Sequence, residues 1–377
     1  MKYIFSPEEI ISVNSKIKTL QILIRYKLPN LDVKIISPNS FLDYYKNKRF
    51  TPDLRDEITS LLKSLFKENK YISIRTAVEK ESELLLPRSK SLDSISKSLS
   101  FIKKTWDYFI GISTNPEDLG VSLLVHKFVP SFASGTIGSF PNQNRNIIEA
   151  TYGIWEGIQS NLHDIYIIDR SNQVIINKII PEKDIALFSE NFGKWVYKKV
   201  EPELKNKQVL SDLQILEVSR QASLVENVYN SPRIEFIVEE TKEQDSKEAI
   251  LLWHIISSKE TDPHFYKIIP FDQETNQKIY YAGNLLIARE VGDINMLRQI
   301  DNDNLILLLG DEIITKRDLF AIQLLASLAK EKNWPIIYKG GILTHINIIL
   351  REYGVKVFSV NQTISLEKKV KVIEDLI

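Results

Sequence analysis

Residues 340–358 read GGILTHINIILREYGVKVF, and this stretch predicts a tight glycine turn, a short helix and a following strand. Thr344 suits the N-cap of a helix whose first residue is His345, because its hydroxyl can accept a hydrogen bond from a backbone N–H of the first turn. Gly354 suits the end of that helix, since glycine readily adopts the left-handed conformation that follows a last turn. The stretch therefore predicts a histidine at the start of a short, capped helix.

A histidine in this position has two interpretations. The first turn of a helix carries unpaired N–H groups and the positive end of the helix dipole, so an anion carried on His345 would be stabilised there. Gly340 and Gly341 would let the backbone approach a ligand without a Cβ atom in the way. These features suit a histidine that accepts a phosphoryl group. The alternative is a structural histidine that fills a gap between domains.

The sequence around this stretch alternates between strand-like and helix-like segments. Apolar β-rich runs flank the helical pattern KRDLFAIQLLASLAKEKN, which predicts a small α/β domain over residues 278–377. Residues 259–277 are mostly polar and contain two prolines, so we interpret them as a linker. Residues 1–258 combine helical patterns with many strand-like runs, which predicts an α+β domain with a large antiparallel part.

Composition narrows the class of protein. The chain has 377 residues, of which 43% are hydrophobic and 26% charged, which predicts roughly two or three domains with apolar cores. The 49 Lys and Arg residues balance 49 Asp and Glu residues, so no net charge favours nucleic acid or an anionic membrane as a partner. The lack of cysteine excludes disulfides, thiol catalysis and zinc–thiolate sites. Because no signal peptide or membrane span is evident, we expect a cytoplasmic protein.

The histidine stretch resembles the phosphohistidine motif of the phosphoenolpyruvate synthase and pyruvate phosphate dikinase family, which reads roughly GG-x-[TS]-[SC]-H-x-A-I-x-A-R-E-x-G-[IV]-P. The residues that match in register are Gly340, Gly341, His345, Ile348, Arg351, Glu352 and Gly354. Leu343 and Thr344 stand where the family has two small polar residues, and the final proline is missing. The resemblance implies that residues 278–377 form a swivelling phosphohistidine domain. In that domain His345 would be the catalytic residue, supported by Gly340, Gly341, Thr344 and Arg351.

The resemblance continues through the N-terminal part of the chain. Segments that resemble family motifs, in the same order, are NSKIKTL (14–20), SIRTAV (73–78), VHKFV (125–129), SGTIGSF (134–140), IIEATYGIWEGIQS (147–160) and IEF (234–236). In the family these segments belong to an ATP-grasp domain that binds Mg-ATP. The resemblance therefore implies an α+β ATP-grasp-like domain over residues 1–258, followed by the small α/β swivelling domain.

The same resemblance implies the residues of a nucleotide site. They are Lys16, Arg75, His126, Lys127, Val129, Glu149 and Glu156. Lys16 and Arg75 would supply cations for a triphosphate, and the backbone of VHKFV would read the adenine. Glu235 would supply a carboxylate oxygen to Mg²⁺. Judged without the resemblance, Lys16 could lie on a solvated helix face, and Arg75 and Glu235 could form structural ion pairs.

Two segments depart from the family pattern. Where the family has a glycine-bearing loop that folds over the phosphates, this chain has EKESELLLPRSKSLD, which contains no glycine. The last strand reads LLWHIISS in place of LQ-x-RP, so His254 falls near the Gln position and an apolar residue replaces the Arg. Both departures predict weakened nucleotide binding, since they remove a backbone cradle and a cation.

These observations leave two functions open. The resemblance favours an ATP-dependent phosphotransferase that passes a phosphoryl group from Mg-ATP to His345 and on to an acceptor bound elsewhere. Because the chain ends soon after the histidine motif, we expect that acceptor on a separate phosphoenolpyruvate- or pyruvate-binding subunit. The departures favour the alternative, a non-catalytic relative that acts as a binding or regulatory module. A phosphotransferase for small molecules would need a substrate domain, for which the short linker has no room.

Overall fold

The computed structural model describes residues 2–12, 14–78, 86–159, 161–190, 194–226, 228, 232–239, 250–257, 266–300, 304–316, 318–362, 364 and 369–374. The chain forms two compact units. The first consists of Met1–Phe132, Phe188–Val196 and Ile234–Ile256, and the second of Ala133–Leu187, Tyr197–Arg233 and Ser257–Ile377. The units differ from the predicted domains, because the second unit joins the predicted α/β domain to residues 133–187 and 197–233.

The first unit begins with a four-stranded antiparallel sheet and four helices. Its elements are β1 (Ile4–Phe5), α1 (Ser15–Arg25), β2 (Val33–Ile36), α2 (Pro38–Asn47), α3 (Pro52–Glu68), β3 (Ile72–Ala77), α4 (Ile95–Ile112) and β4 (Ser122–Lys127). The strand order is β1-β2-β4-β3. Side chains alternate between the two faces of a strand, so Leu124 of β4 packs with α1, whereas Leu123 and Val125 pack with α2, α3 and α4. Helices therefore cover both faces of this sheet.

Two capping signals stand near the N-terminus, and only the second starts a full helix. Ser6 and Glu9 form a capping box, but it caps only the helical turn Pro7–Glu9. Helix α1 begins at Ser15, where the side chain of Asn14 accepts hydrogen bonds from the backbone N–H groups of Lys16 and Ile17. A second strong N-cap therefore divides the apolar pattern into a turn and a helix.

The second unit begins with an antiparallel meander. Its strands are β5 (Ser131–Phe140), β6 (Arg145–Tyr152), β7 (Asp164–Asp169) and β8 (Val174–Ile179), and each neighbouring pair is antiparallel. This meander agrees with the large antiparallel part predicted for residues 1–258. The elements that follow along the chain are β9 (Ile185–Glu190), β10 (Lys194–Lys199), α5 (Asp212–Val225), β11 (Pro232–Glu239) and β12 (Ile250–Ser257).

The remaining residues of the second unit form a mixed sheet with helices. Its elements are β13 (Tyr266–Pro270), β14 (Ile279–Ala288), α6 (Val291–Leu297), β15 (Leu305–Leu309), α7 (Asp311–Lys316), α8 (Leu319–Glu331), β16 (Ile336–Lys339), α9 (His345–Glu352), β17 (Val357–Val360) and β18 (Lys369–Glu374). The strand order is β13-β18-β14-β15-β16-β17, and β14, β15, β16 and β17 run parallel. This is the predicted strand–helix alternation. In the part of the chain that the structure describes, no helix is both long and apolar enough to cross a membrane.

Part of the predicted linker belongs to this sheet. Strand β13, Tyr266–Pro270, pairs antiparallel with β18 along its whole length. Ile268 is buried with Phe358 and Val372 in one apolar cluster. The linker interpretation was wrong for these five residues. Residues 259–277 are polar on average but contain a short apolar run, and this run pairs with a strand about a hundred residues later in the chain.

Candidate functional site

Lys16 and Arg75, the two predicted phosphate-binding cations, lie at neighbouring positions of the first unit. The Nζ atom of Lys16 donates a hydrogen bond to the carbonyl of Thr76, 3.1 Å away, and Thr76 follows Arg75 on β3. The side-chain amide of Asn14 also donates to the carbonyl of Val78, just after β3. These contacts hold the positive start of α1 and Lys16 beside the end of β3, the strand that carries Arg75.

Glu235, the predicted magnesium ligand, belongs to the same group. Its Oε1 atom lies 4.0 Å from Nδ1 of His254, and Nε2 of His254 lies 3.4 Å from the hydroxyl of Ser15, the first residue of α1. No group of three His, Asp or Glu side chains suited to a metal occurs among the described residues. Glu235 therefore stays a predicted magnesium ligand, and Mg²⁺ commonly takes its other ligands from phosphates and water.

His126, predicted as a nucleotide-binding residue, has its side chain in the core of the first unit. Strand β4 pairs with β2 on one side and β3 on the other, so the backbone at His126 lies between two strands. Its side chain is buried, and its ring centre lies 5.0 Å from that of Trp253. Burial, and after it the positive charge of Arg75, lowers the pKa of His126 from 6.5 to about 3. His126 is therefore a neutral core residue at neutral pH.

The buried His126 predicts a specific loss of stability in acid. As the pH falls below 6.5, the ring of His126 binds a proton in the unfolded chain. In the folded chain the same ring stays neutral until about pH 3. The free energy of unfolding should drop by about 1.4 kcal/mol per pH unit across that window, relative to His126→Phe, which keeps an aromatic ring beside Trp253. Urea unfolding of both proteins at pH 7, 6, 5 and 4 would measure the difference, and parallel pH profiles would contradict it.

Lys127 and Val129 are the other two nucleotide-binding residues predicted in the segment VHKFV. They differ in their surroundings. The Nζ atom of Lys127 lies 3.0 Å from Oε1 of Glu239 in an ion pair at the surface of the first unit. Val129 lies beyond the end of β4 and, like Trp253, packs against the apolar cluster that includes Leu124. The backbone of Val129 lies outside the strand, and its contact with adenine stays a prediction.

Glu149, predicted to contact nucleotide, instead binds the glycine turn of the histidine motif inside the second unit. Its carboxylate is fully buried. Oε1 accepts a hydrogen bond from the N–H of Ile342 at 2.6 Å, and Oε2 accepts one from the N–H of Leu343 at 3.1 Å. Two backbone donors on one buried carboxylate satisfy groups that would otherwise be costly to bury. The structure shows Glu149 in contact with residues 193 and 194 positions away, and its nucleotide contact stays a prediction.

The two glycines are required by this close contact. A Cβ atom on Gly341 would lie 2.8 Å from Cδ of Glu149 and 2.8 Å from Cγ2 of Ile158. A Cβ atom on Gly340 would lie 2.5 Å from Cζ of Tyr338 and 2.8 Å from the carbonyl of Gln159. The sequence predicts that the two glycines let the backbone approach a ligand closely. In the structure, the groups that lie this close to the glycines belong to other residues of the same chain.

Replacing Gly341 by Ala should therefore destabilise the second unit. The added methyl group has no space against Glu149 and Ile158, so the turn must shift, which should lower the free energy of unfolding by about 1–3 kcal/mol. Gly111→Ala in α4 is the matched control, because a Cβ atom there meets nothing within 4 Å. That substitution should raise stability by about 0.5–1 kcal/mol, since alanine favours a helix over glycine. Equal effects of the two substitutions in urea unfolding would contradict the crowding argument.

The helix start of the histidine motif has the predicted cap. Helix α9 begins at His345, and the hydroxyl of Thr344 accepts a hydrogen bond from the N–H of Asn347. The same hydroxyl lies 2.9 Å from the carbonyl of Gly341 and 3.0 Å from the hydroxyl of Tyr338. The side chain of His345 lies outside the described part of the structure. Its predicted role as carrier therefore stays a prediction.

Arg351, predicted to support His345, forms a hydrogen bond within its own helix, α9. Its Nε atom donates to Oδ1 of Asn347 at 2.7 Å, one turn earlier in α9. Asn347 is buried, and its amide donates to the hydroxyl of Ser359 on β17. Arg351 thus helps to fix the side chain that ties α9 to the sheet.

Three side chains near the turn carry no motif signal in the sequence. Arg233 is almost fully buried and donates through Nη1 to the carbonyl of Leu343. His163 is also buried, with Nε2 3.6 Å from Oε1 of Glu149. The hydroxyl of Tyr338 donates to the carbonyl of Gln159 at 3.1 Å. The available signal was weak, consisting of isolated polar residues beside apolar strand runs.

Glu156, the last predicted nucleotide residue, lies in the short helical turn Trp155–Gln159 of the second unit. The indole of Trp155 donates to the hydroxyl of Thr136 at 2.6 Å and fixes the start of this turn on β5. Ile158 and Gln159, at its end, are the residues that crowd the two glycines. Glu156 thus stays a predicted nucleotide residue on a turn whose other face supports the histidine motif.

Comparison with known proteins gives matches along most of the chain. Residues 89–251 match a family model described as pyruvate phosphate dikinase, AMP/ATP-binding domain. The probable phosphoenolpyruvate synthase of Methanothermobacter thermautotrophicus is 21% identical over 410 aligned residues, which cover 92% of this chain and 54% of that protein. The corresponding protein of Archaeoglobus fulgidus, also described as probable, is 35% identical over 129 residues, which cover 33% of this chain and 17% of that protein.

Among solved structures, an ATP citrate lyase of Methanosaeta concilii aligns with 92% of this chain and 95% of its own. Its sequence identity of 11% and TM-score of 0.27 are too low to bear on the fold. The chain spans about half the length of the Methanothermobacter protein, so the activity of that protein is not transferred with the match. An ATP-binding domain match over residues 89–251 and an alignment along nearly the whole chain nevertheless agree with the histidine motif at the start of α9, and the chain is similar to proteins of the phosphoenolpyruvate synthase and pyruvate phosphate dikinase family.

Proposed function

We propose that this protein is an ATP-dependent phosphotransferase with its nucleotide site in the first unit. The group formed by Lys16, Arg75 and Glu235 around the start of α1 supports this proposal, as does the ATP-binding domain match over residues 89–251. Lys16 and Arg75 would bind phosphate oxygens through charge-assisted hydrogen bonds. Glu235 would hold Mg²⁺, which would offset negative charge on the triphosphate.

In this proposal His345 is the phosphoryl carrier. The observation that carries it is the construction of the turn before α9. Two glycines, the Thr344 cap and the Glu149 carboxylate together fix the backbone of residues 340–344. Such a preorganised first turn directs N–H groups and the positive end of the helix dipole toward an anion. A purely structural helix end has no need of so many long-range contacts.

The proposed step is a phosphoryl transfer to nitrogen. A ring nitrogen of neutral His345 attacks a phosphorus atom of ATP, and a P–N bond forms as the P–O bond to the departing nucleotide breaks. The departing oxygen keeps the electron pair of that bond, and the other ring nitrogen releases its proton to solvent. The products are phosphohistidine and the shortened nucleotide. Lys16 and Arg75 would offset the charge that builds up on the departing oxygens.

The phosphoryl group then passes to an acceptor, which in this proposal is bound by a separate phosphoenolpyruvate- or pyruvate-binding subunit. Delivery would require residues 278–377 to change orientation as a swivelling domain. Such a movement would break the hydrogen bonds from Ile342 and Leu343 to Glu149, together with the bond from Arg233 to the carbonyl of Leu343. Rearrangement of a packed element between two positions is a common form of switching in proteins.

Incubation with radiolabelled ATP tests the proposal. The protein should take up a label that is stable in base and released in acid, as expected for a phosphoryl group on nitrogen. Separate incubations with ATP labelled at the β- and the γ-phosphate would identify the phosphate that moves. If the folded protein takes no label from either nucleotide in the presence of Mg²⁺, the non-catalytic alternative replaces this proposal.

A further inference from the structure

A serine hydroxyl, an imidazole and a carboxylate follow one another at the start of α1. The hydroxyl of Ser15 lies 3.4 Å from Nε2 of His254, and Nδ1 of His254 lies 4.0 Å from Oε1 of Glu235. His254 is 6% exposed and Ser15 is half-buried, so the serine is more accessible than the ring. Serine, histidine and an acid in this order are the groups with which many enzymes turn a hydroxyl into a nucleophile.

Two hydrogen bonds tie α1 to the strand that carries His254. The hydroxyl of Thr19 donates to the carbonyl of Ile255 at 3.2 Å and accepts a hydrogen bond from the N–H of Ile255 at 3.0 Å. Thr19 is buried and lies four residues after Ser15, on the same face of α1. His254 precedes Ile255 on β12, and Glu235 lies on the neighbouring strand, β11. The serine and the imidazole are therefore held together by contacts that involve neither side chain.

The surroundings of the ring favour the tautomer that a general base requires. A proton on Nδ1 of His254 faces the carboxylate of Glu235, and the lone pair of Nε2 then faces the hydroxyl of Ser15. The opposite tautomer would direct the lone pair of Nδ1 at the carboxylate, which is unfavourable. Contacts of this length in unliganded sites commonly shorten when a substrate binds. Nε2 of neutral His254 is thus placed to accept the proton of the hydroxyl.

The groups around Ser15 favour a phosphoryl group over an acyl group as the electrophile. Lys16 follows Ser15 directly, and its amine contacts the end of β3, the strand that carries Arg75. Such cations bind the oxygens of a phosphate. An acyl transfer would need backbone N–H groups for its oxyanion, but the side chain of Asn14 already accepts hydrogen bonds from the N–H groups of Lys16 and Ile17.

We propose that Ser15 accepts the terminal phosphoryl group of ATP, with His254 as the general base and Glu235 as a positioning residue for the ring. This proposal rests on the nucleotide site of the proposed function, but not on transfer to His345. Oγ of Ser15 attacks the γ-phosphorus, and a P–O bond forms as the bond from that phosphorus to the β–γ bridging oxygen breaks. The departing ADP keeps the electron pair of the broken bond, and the hydroxyl proton passes to Nε2 of His254. The products are ADP and a phosphoserine at residue 15.

Incubation of the full chain with ATP radiolabelled at the γ-phosphate, in the presence of Mg²⁺, tests the acceptor. Phosphoserine survives acid and phosphohistidine does not, so the label that remains after acid treatment reports on Ser15 alone. It should map to the peptide that contains residue 15 and disappear in Ser15→Ala, a substitution that suits the first turn of a helix. Ser15→Thr, which keeps a hydroxyl, should restore the label. Ser96→Ala is the matched control, because Ser96 is an exposed serine in the first turn of α4, and it should keep the full label.

Two further variants test the base and its positioning residue. His254→Gln should lower the rate of acid-stable labelling by about 100-fold or more, the usual contribution of a general base. Glu235→Gln should move the pH profile of that rate to lower pH, because a carboxylate beside the ring favours the imidazolium and its removal favours the neutral form. A merely structural role of Glu235, or the loss of a magnesium ligand, would lower the rate without moving the profile.

The two kinds of label separate this proposal from the proposed function. An acid-labile label without an acid-stable one would support the transfer to His345 and overturn the role of Ser15. An acid-stable label on residue 15 without an acid-labile one would support Ser15 and count against His345 as the carrier. An acid-stable label that persists in Ser15→Ala would also overturn the role of Ser15. If isothermal titration with Mg-ATP shows no binding to the folded wild-type protein, the nucleotide site fails and both proposals fail with it.

Discussion

His345→Ala should reduce the acid-labile phosphoryl label taken from ATP to the background of a reaction without protein. The reason is chemical, because an acid-labile, base-stable label requires a P–N bond, and alanine offers no nitrogen to form it. The label would be measured after rapid gel filtration at alkaline pH. His345→Asn should behave in the same way, since a carboxamide nitrogen is not nucleophilic.

His264→Ala is the control for this experiment. His264 lies outside the described residues and in no motif, so its loss should leave labelling unchanged. The carrier assignment would fail if His345→Ala kept the label. Nucleotide binding should persist in His345→Ala, because the proposed nucleotide residues lie in the first unit, and isothermal titration with Mg-ATP would check this.

Lys183→Met should destabilise the protein by about 3–5 kcal/mol, the largest effect on folding that we expect. Lys183 and Asp164 are both buried, and Nζ lies 2.6 Å from Oδ1 of the carboxylate. The other carboxylate oxygen accepts hydrogen bonds from the hydroxyl of Tyr166 at 2.7 Å and from the N–H of Val209 at 2.6 Å. Methionine fills the space of the lysine stem but leaves the carboxylate buried without its cation.

The pH dependence of this loss distinguishes an unpaired charge from poor packing. Burial already raises the pKa of Asp164, against the opposing effect of Lys183 and its hydrogen bonds. A raised folded-state pKa means that the folded protein binds a proton more readily than the unfolded chain, so the stability lost in Lys183→Met should be partly recovered as the pH falls toward the acid range. A loss that is independent of pH would favour a packing defect.

Lys205→Met is the matched control for Lys183→Met. Lys205 pairs with Asp184, whose side chain is 66% exposed, so water screens this pair and replaces the lost contact. No measurable change in stability is expected. A comparable loss at both lysines in urea unfolding would contradict the argument from burial.

The sequence by itself determined the local elements of the histidine motif. Thr344 caps α9, the helix begins at His345, and Gly354 has a positive φ of 77° just after it. The strand–helix alternation of the C-terminal part and a large antiparallel part before it were also predicted. Hydrogen bonds in a helix or a turn join residues a few positions apart, so composition and periodicity record them directly. The resemblance to the phosphoenolpyruvate synthase and pyruvate phosphate dikinase family followed from the order of motifs, which is likewise a property of the sequence.

Only the tertiary structure decided what those elements contact. It placed β13 beside β18, which turned part of a predicted linker into a strand. It buried the side chain of His126 against Trp253, a contact that the sequence did not predict.

The same was true of Glu149, which the motif assigned to the nucleotide and the fold assigned to the turn of Ile342 and Leu343. These partners lie more than a hundred residues apart in the chain, and the energy of burying a charge depends on which donors surround it in space. A glutamate has the same appearance in a sequence whether water, a nucleotide or two backbone N–H groups satisfy its oxygens.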